Sequence, residues 1–513
     1  MAPMTPFLEA MTRVPDLLAA HLLLAASALL LGIAISLPLA VLSARQPIVA
    51  RVALGFASLV QTIPSLALLA LFYPLLLSLS ALVGGGIPAL GFLPALLALT
   101  LYALLPILRN GVTGLAGIDP AVLEAADGVG MTPWQKLRLV EAPLVAPVLM
   151  AGIRTAAVWT IGAATLSTTV GQPSLGDIIF AGLQTQNWAL VLAGCVSAAG
   201  LALAVDALLG VIEYGIRQRK RVPVVAAGVT LLVGVALALV PLWPRSGPEI
   251  TIGAKDFSEQ FILSRLIGHR LEREGYRVRY REGLGSAVQF GALTSSAVDI
   301  SIDYSGTIWT NQMRRTDTPD AATMLAEIGR WGERQHHIRL IGALGFENAY
   351  AFAMRGDVAR AHGVTSLDDL VGAAPQLHFG ADLEFLERPE WAAIKRAYPI
   401  RFASAHAYNP TFMYRALDSK QADVISAFSS DGRIAAQHLT VLTDPRHAIP
   451  HYDAILMVDP KHAQDEKLVR ALQSLVGRIP VEAMREANYR VDRDTDKDSP
   501  EAAARWLEKR IGL

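Results

Sequence analysis

The 513-residue sequence predicts two domains built for different solvents: an α-helical membrane domain of about six transmembrane helices, then a two-lobed α/β domain. Three observations predict this. Mean hydropathy is +0.38, too apolar for a wholly water-soluble chain. Residues 1–248 carry only 21 of the 90 Asp, Glu, Lys and Arg side chains. Beyond them, the apolar pattern alternates between strand and helix periods.

The boundaries follow from composition. Residues 1–243 read as the membrane domain, with a charged loop at 109–142. Residues 244–248 (Pro-Arg-Ser-Gly-Pro) form a short linker, and 249–513 the soluble domain. Each apolar stretch is compared with the roughly 20 residues that cross a bilayer. Residues 17–44 contain no charged side chain and make one span. Residues 52–108 are equally uncharged but too long for one, and Gly84-Gly85-Gly86 with Pro88 splits them into two helices. Stretches near 142–166, 178–212 and 222–243 complete six, although the piece near Ile178 also reads as a short surface or re-entrant helix. The first apolar run is too long, and its leader with Arg13 too weakly basic, for a cleaved signal peptide. Cys195, the only cysteine, excludes an intrachain disulfide and reads as a small buried apolar residue.

Basic residues set the orientation. Arg45 and Arg51, then Arg109, Lys136 and Arg138, then Arg217, Arg219, Lys220 and Arg221 share one side, the cytoplasm, if the N-terminus is outside. The sixth span then leads outward and the second domain is extracytoplasmic. The expected location is a bacterial plasma (inner) membrane, multi-pass and in contact with lipid. A net charge of zero offers nothing to nucleic acid.

The 109–142 loop carries the sharpest motif of this half: Glu124-Ala125-Ala126, Gly130 after three intervening positions, and Glu141-Ala142-Pro143. Glu-Ala-Ala favours helix, Gly130 permits a sharp turn, and Pro133 can start a second short helix. Glu-Ala-Ala alone is an ordinary interfacial loop. With the glycine and the later proline, the pattern resembles the EAA loop of binding-protein-dependent ABC importer permeases of type I. The resemblance implies that Glu124, Ala125, Ala126 and Gly130 dock a separate ATP-binding subunit and feel its closure. Ala142-Pro143 departs from the Leu-Pro or Ile-Pro common there. No Gly-x-x-x-x-Gly-Lys-Ser/Thr run occurs in the sequence, so ATP is expected to be used by that partner and no cofactor by this chain. Six spans per chain suggest that two permease chains pair as a homodimer.

In the soluble half, 249–253 reads as a strand and 257–274 as a helix, with apolar residues at 261, 262, 263, 266, 267 and 271. Strand 277–280, helix 286–297 and strand 298–302 follow. Such alternation suggests α/β lobes with mostly parallel sheets and a cleft at the strand ends. Four loop motifs come in order: Gly253-Ala254-Lys255-Asp256-Phe257-Ser258-Glu259-Gln260, Asp303-Tyr304-Ser305-Gly306-Thr307, Leu344-Gly345-Phe346-Glu347-Asn348-Ala349-Tyr350, and Ile425 to Arg433 around Phe428. Together they resemble the solute-binding proteins of glycine betaine, choline and carnitine importers, which have a type II periplasmic-binding-protein fold. The resemblance implies lobe 1 at about 249–345 with 450–513, and lobe 2 at about 350–445.

It also implies a small zwitterionic ligand whose quaternary ammonium sits among aromatic rings and whose carboxylate meets basic and hydroxyl groups. A trimethylammonium group has no N–H to donate, so ring faces must select it, by roughly 0.5–2 kcal/mol per contact. The motif positions carry Tyr304, Tyr350, Phe428 and Tyr452 over as the box, with Phe428 standing where the family commonly has Tyr. Lys255, Thr307 and Arg388 carry over as the carboxylate grip, since a planar guanidinium suits a carboxylate. Taken singly, each Tyr is ordinary packing and each Arg an ordinary surface charge. Asp431 and Arg433 read as structural, a turn with an inter-lobe ion pair, and His336-His337 as surface without metal-ligand spacing.

The implied function is import of an osmoprotectant such as glycine betaine, choline or carnitine. The alternative is ergothioneine, whose ring needs more room and a polar partner such as Asn348, Glu347 or His451. A ligand-gated sensor or channel is a third reading, which the EAA-like loop opposes. No catalytic or metal constellation has a recognisable sequence context.

Overall fold

The computed structural model describes residues 6–513 apart from 12–13, 84–86, 185–186, 241–247, 383–384, 409 and 494. The Gly84–Gly86 break and linker residues 244–247 lie outside the described residues. The chain forms two compact units, Met1–Ile179 with Ala189–Arg245, and Phe180–Trp188 with Ser246–Leu513.

In the first unit, Leu- and Ala-rich stretches form helices because both residues lose little on entering one. Among the described residues, four helices are long and apolar enough to span: Leu17–Arg45, Phe92–Ala116, Pro133–Val170 and Trp188–Arg217. The 52–108 stretch departs from the expected two helices. It holds parts of three, because Pro47–Thr62 and Ser65–Ser80 meet at a 103° bend. Pro64 causes the bend by holding Ile63 extended at ψ 126°, as the residue before a proline must be. Counted as one span, that pair makes five, and the shorter apolar helix Arg221–Leu237 follows. The piece near Ile178 is a separate helix, Gly176–Gln184. Cys195 is exposed on its helix rather than buried. The sequence misleads there because a lipid-facing surface is as apolar as a packed one.

Two polar devices join these helices. His21 is fully buried; its Nε2 lies 3.0 Å from the Ile161 carbonyl, and the Leu175 amide donates to its Nδ1 at 3.3 Å. The amide donor leaves Nδ1 as acceptor, so the proton sits on Nε2. Arg154 of helix Ala142–Ala164 pairs with Asp206 at 2.9 Å and Glu213 at 2.7 Å on helix Trp188–Arg217. Charges on apolar helices are costly unless paired.

The EAA-like loop is a helical knob. Asp119 caps helix Pro120–Gly128 by accepting from the Ala121 amide at 2.9 Å. Gly130 then turns the chain at φ +77°, a conformation that a side chain would strain. Thr132 and Gln135 form a capping box on helix Pro133–Lys136, and Lys136 bonds back to Asp127 at 2.8 Å. Glu124 and Ala125 are exposed and Ala126 is buried beneath them.

The second unit has two five-stranded sheets. The first orders β2-β1-β3-β10-β4, from β1 (Glu249–Lys255), β2 (Arg277–Leu284), β3 (Ile300–Tyr304), β4 (Arg339–Glu347) and β10 (Asp453–Val458). The second orders β7-β6-β8-β5-β9, from β5 (Tyr350–Arg355), β6 (His378–Asp382), β7 (Ser404–Tyr408), β8 (Val424–Phe428) and β9 (Leu439–Leu442). The sheets are mixed rather than mostly parallel. β10 runs antiparallel to β3 and β4, and β5 to β8 and β9. The reason is connectivity: β5 and β10 are the first strands after each crossing between lobes. They enter at the cleft, where β1, β3, β6 and β8 end.

The apolar positions expected on helix Ser258–Arg273, at 261, 262, 263, 266, 267 and 271, are all buried. In the other lobe, Phe352 stacks on Phe379 with ring centroids 5.3 Å apart and lies 6.3 Å from Trp391. Phe352→Ala should therefore cost about 3–5 kcal/mol. Calorimetry of the full chain in detergent should show this as a lowered first transition, with the conservative Phe352→Leu change costing less.

Candidate functional site

Strand ends deliver the predicted side chains to one cluster. Tyr350 opens β5 and pairs directly with Phe428 at the end of β8. Their rings lie 5.1 Å apart, and Tyr452, just before β10, meets Tyr350 edge-on at 6.0 Å. Phe257, which the sequence reading did not select, stacks parallel to Phe428 at 6.3 Å and lies 6.2 Å from Tyr304. It stood two residues after Lys255 in a quoted motif, so the signal was present. Gly306 is required beside this box: a Cβ there would meet the Tyr452 ring at 2.5 Å and the His451 carbonyl oxygen at 2.7 Å.

Arg388 closes one side, its guanidinium carbon 5.3 Å from the Tyr350 ring centre. It donates to Glu390 at 2.9 Å and to the Thr307 hydroxyl at 3.4 Å. Glu390, also unforeseen, accepts from the hydroxyls of Thr310 (2.9 Å) and Tyr452. Burial pushes the Glu390 carboxyl up; the Arg388 charge and these hydrogen bonds reverse that and hold it below the ordinary range. Arg388, Thr307 and Glu390 are all buried. The carboxylate was not legible because its role depends on which hydroxyls the fold brings to it.

Lys255 is in the cluster and is paired as well. Its ammonium bonds to the buried Asp303 at 2.5 Å and sits 5.2 Å over the Tyr304 ring. Asp303 directly precedes Tyr304, so Lys255, expected to hold a ligand carboxylate, has a buried carboxylate partner just as Arg388 has Glu390. Tyr304 points its hydroxyl away from the box, donating to Glu259 at 2.6 Å and accepting from Gln260 at 3.0 Å. Burial, then the Glu259 charge, push the Tyr304 hydroxyl well above its ordinary range. Asn348 and Asn488 also donate to Glu259, each at 3.0 Å. Burial raises the Glu259 carboxyl, while the hydrogen bonds, led by that of Ser430, oppose the rise.

Asp431 and Arg433 pair with each other at 2.6 Å inside one turn, and Arg433 also feels the charge of Asp492 from the other lobe. The cause of the pairing is the Arg433 amide, which donates to Asp431 and fixes the two side chains together. His336 is not a simple surface residue: it is half-buried, with ring centres 5.2 Å from Phe290 and 4.7 Å from Trp331.

Residues 248–509 match the family described as the substrate binding domain of ABC-type glycine betaine transport system. The chain belongs to this family. Residues 32–218 match a second family, the binding-protein-dependent transport system inner membrane component. The fusion of permease and binding components is thus a transporter component and a membrane protein, and an ABC permease implies an ATP-binding partner subunit. Among relatives, a Helicobacter pylori (strain G27) ergothioneine transport permease/ergothioneine binding protein is 29% identical over 471 residues, covering 88% of this chain and 82% of its own. A Bacillus subtilis (strain 168) glycine betaine/carnitine/choline transport system permease is 42% identical over 193 residues, covering 38% and 83%. A solved glycine betaine/carnitine/choline ABC transporter structure covers 52% of this chain and 99% of its own, at 24% identity and TM-score 0.45.

If the rings select a cation by their faces, Phe428→Tyr should keep ligand affinity within about threefold while Phe428→Leu loses about 5- to 30-fold. Isothermal titration of the full chain in detergent checks this; equal losses in both variants would contradict a ring-face role.

Proposed function

We propose that this chain is the permease and receptor of an ATP-driven importer for a quaternary-ammonium zwitterion. The observation that carries the reading is the meeting of Tyr350, Phe428, Tyr452 and Phe257 beside the buried Arg388. Ring faces suit a cation that cannot donate a hydrogen bond, and a guanidinium suits the carboxylate at the other end. Glycine betaine, choline or carnitine is the first substrate class, in line with what the permease relatives are named for. Ergothioneine is the second, in line with the full-length Helicobacter pylori relative.

Ligand draws the two lobes closed, and the closed receptor docks on the outer mouth of its own permease. Its domain is extracytoplasmic and the knob cytoplasmic, as the basic loops require. Two chains pair to line the path. ATP, consumed by the partner subunit, drives closure there, and the Glu124–Gly130 knob passes the movement into helix Ala142–Ala164. The tether holds receptor and permease at an effective concentration on the order of millimolar, so capture does not wait on a free receptor. A ligand-gated channel would have no use for the knob.

Two measurements test this together. Titration of the full chain should show saturable binding of at least one of betaine, choline, carnitine or ergothioneine, and binding of none would sink the ligand class. Glu124→Lys or Gly130→Val should abolish co-purification of the ATP-binding subunit and leave that ligand binding intact; retained co-purification would remove the coupling role.

A further inference from the structure

The two lobes also touch at a seam outside the ring box. Its lobe 1 side is helix Val481–Asp492, which packs on helices Ser258–Arg273 and Pro500–Arg510 and on β4. Its lobe 2 side is the turn at residues 429–433, which leaves the end of β8 and enters helix Arg433–Ala436 beside β9. The turn is braced from within: the Asp431 amide donates to the Phe428 carbonyl at 2.9 Å, and the Asp431 carboxylate accepts from the Arg433 amide at 2.9 Å. Two of its carbonyls accept from the helix of the other lobe, Ser429 from Arg485 Nε at 2.9 Å and Ser430 from Asn488 Nδ2 at 3.0 Å. Gly432 lies against that helix directly. A Cβ there would meet the Tyr489 Cβ at 2.4 Å and the Arg485 carbonyl oxygen at 2.5 Å. Gly432 is not among the glycines with positive φ, so its own turn would accept a side chain. The neighbouring lobe is what demands a glycine there.

A residue that its own backbone does not require, but that contact across the seam does, marks a surface shaped for closure. We propose that the 429–433 turn and helix Val481–Asp492 form a latch that holds the lobes together whatever occupies the cleft, with Gly432 as its contact point and Arg485 as its clamp. Neither of these, nor Tyr489, belongs to the ring box or to the group around Arg388. They are positioning residues, and they set how much of the receptor is already closed before ligand arrives. Apparent affinity scales with that closed fraction, so the latch changes affinity for every ligand by one common factor and leaves selectivity to the rings. Two net hydrogen bonds are enough to move a two-state ratio by about tenfold.

The test adds no ligand, so its outcome is separate from the quaternary-ammonium reading. Nitroxide labels at two exposed positions, Ser419→Cys in lobe 2 and Lys509→Cys in lobe 1, report lobe separation by double electron–electron resonance. The sample is the full chain in detergent after exhaustive dialysis, on a Cys195→Ser background because Cys195 is exposed. With the latch intact, a short, closed distance should be populated. Arg485→Ala, which removes one bond and adds no atom, should lower the ratio of closed to open molecules about three- to tenfold. Gly432→Val should lower it by at least about tenfold, with the smaller Gly432→Ala in between. Where Gly432→Val fails to fold, Arg485→Ala and Gly432→Ala carry the test. A single long distance with the latch intact would overturn the proposal, and so would a closed fraction that is the same in the folded variants as in the unaltered latch.

Discussion

The cleft depends on a buried ion pair two residues apart in the chain. Arg388 and Glu390 are both out of water, and burying either charge alone would cost several kcal/mol. Together they are tolerable because the remaining hydrogen-bonding capacity is filled by Thr307, Thr310 and the Tyr452 hydroxyl. The same bonds decide geometry. Tyr452 is aimed by Glu390, Tyr350 is faced by Arg388, and Tyr350 pairs with Phe428 across adjacent strands. The ring box and the guanidinium are thus one assembly, and disturbing the carboxylate disturbs all of it. A pair of this kind contributes little net stability, but removing one partner leaves the other charge buried and uncompensated.

Chain topology explains why the assembly forms at that place. Each sheet receives one strand that has just crossed from the other lobe, and that strand begins at the cleft while its neighbours end there. Tyr350 and Tyr452 sit at or beside those entry points, and Tyr304 and Phe428 at exits. Glu259 is held by side chains from three segments, Tyr304, Asn348 and Asn488, which ties the first helix of the domain to the crossing and to helix Val481–Asp492.

In the membrane unit the comparable constraint is continuity. The knob around Gly130 runs through Pro133–Lys136 and Leu137–Glu141 into helix Ala142–Ala164 without a break. Arg154 then ties that helix to Trp188–Arg217 through two carboxylates. Knob and two long helices form one mechanical element. Gly130 supplies the one turn within it that an ordinary residue would strain.

Much of this was legible because it is local. Hydropathy and charge separated the two solvents, helix periodicity located the buried face at residues 261–271, and short motifs marked Tyr304, Tyr350, Phe428 and Gly130. Local order could not reveal that Pro64 breaks a span, because a proline in an apolar run is equally compatible with a straight helix. Nor could it reveal that Cys195 faces outward, since lipid and protein interior have the same hydropathy. The sequence by itself determined which residues are available: the rings, the arginine, the knob and the absence of a phosphate-binding run. Only the tertiary structure decided their partners. Lys255 is paired with Asp303, Arg388 is braced by Glu390, and Phe257 and Glu259 join the site, because hydrogen bonds and ring contacts between distant segments exist only once the strands have brought them together.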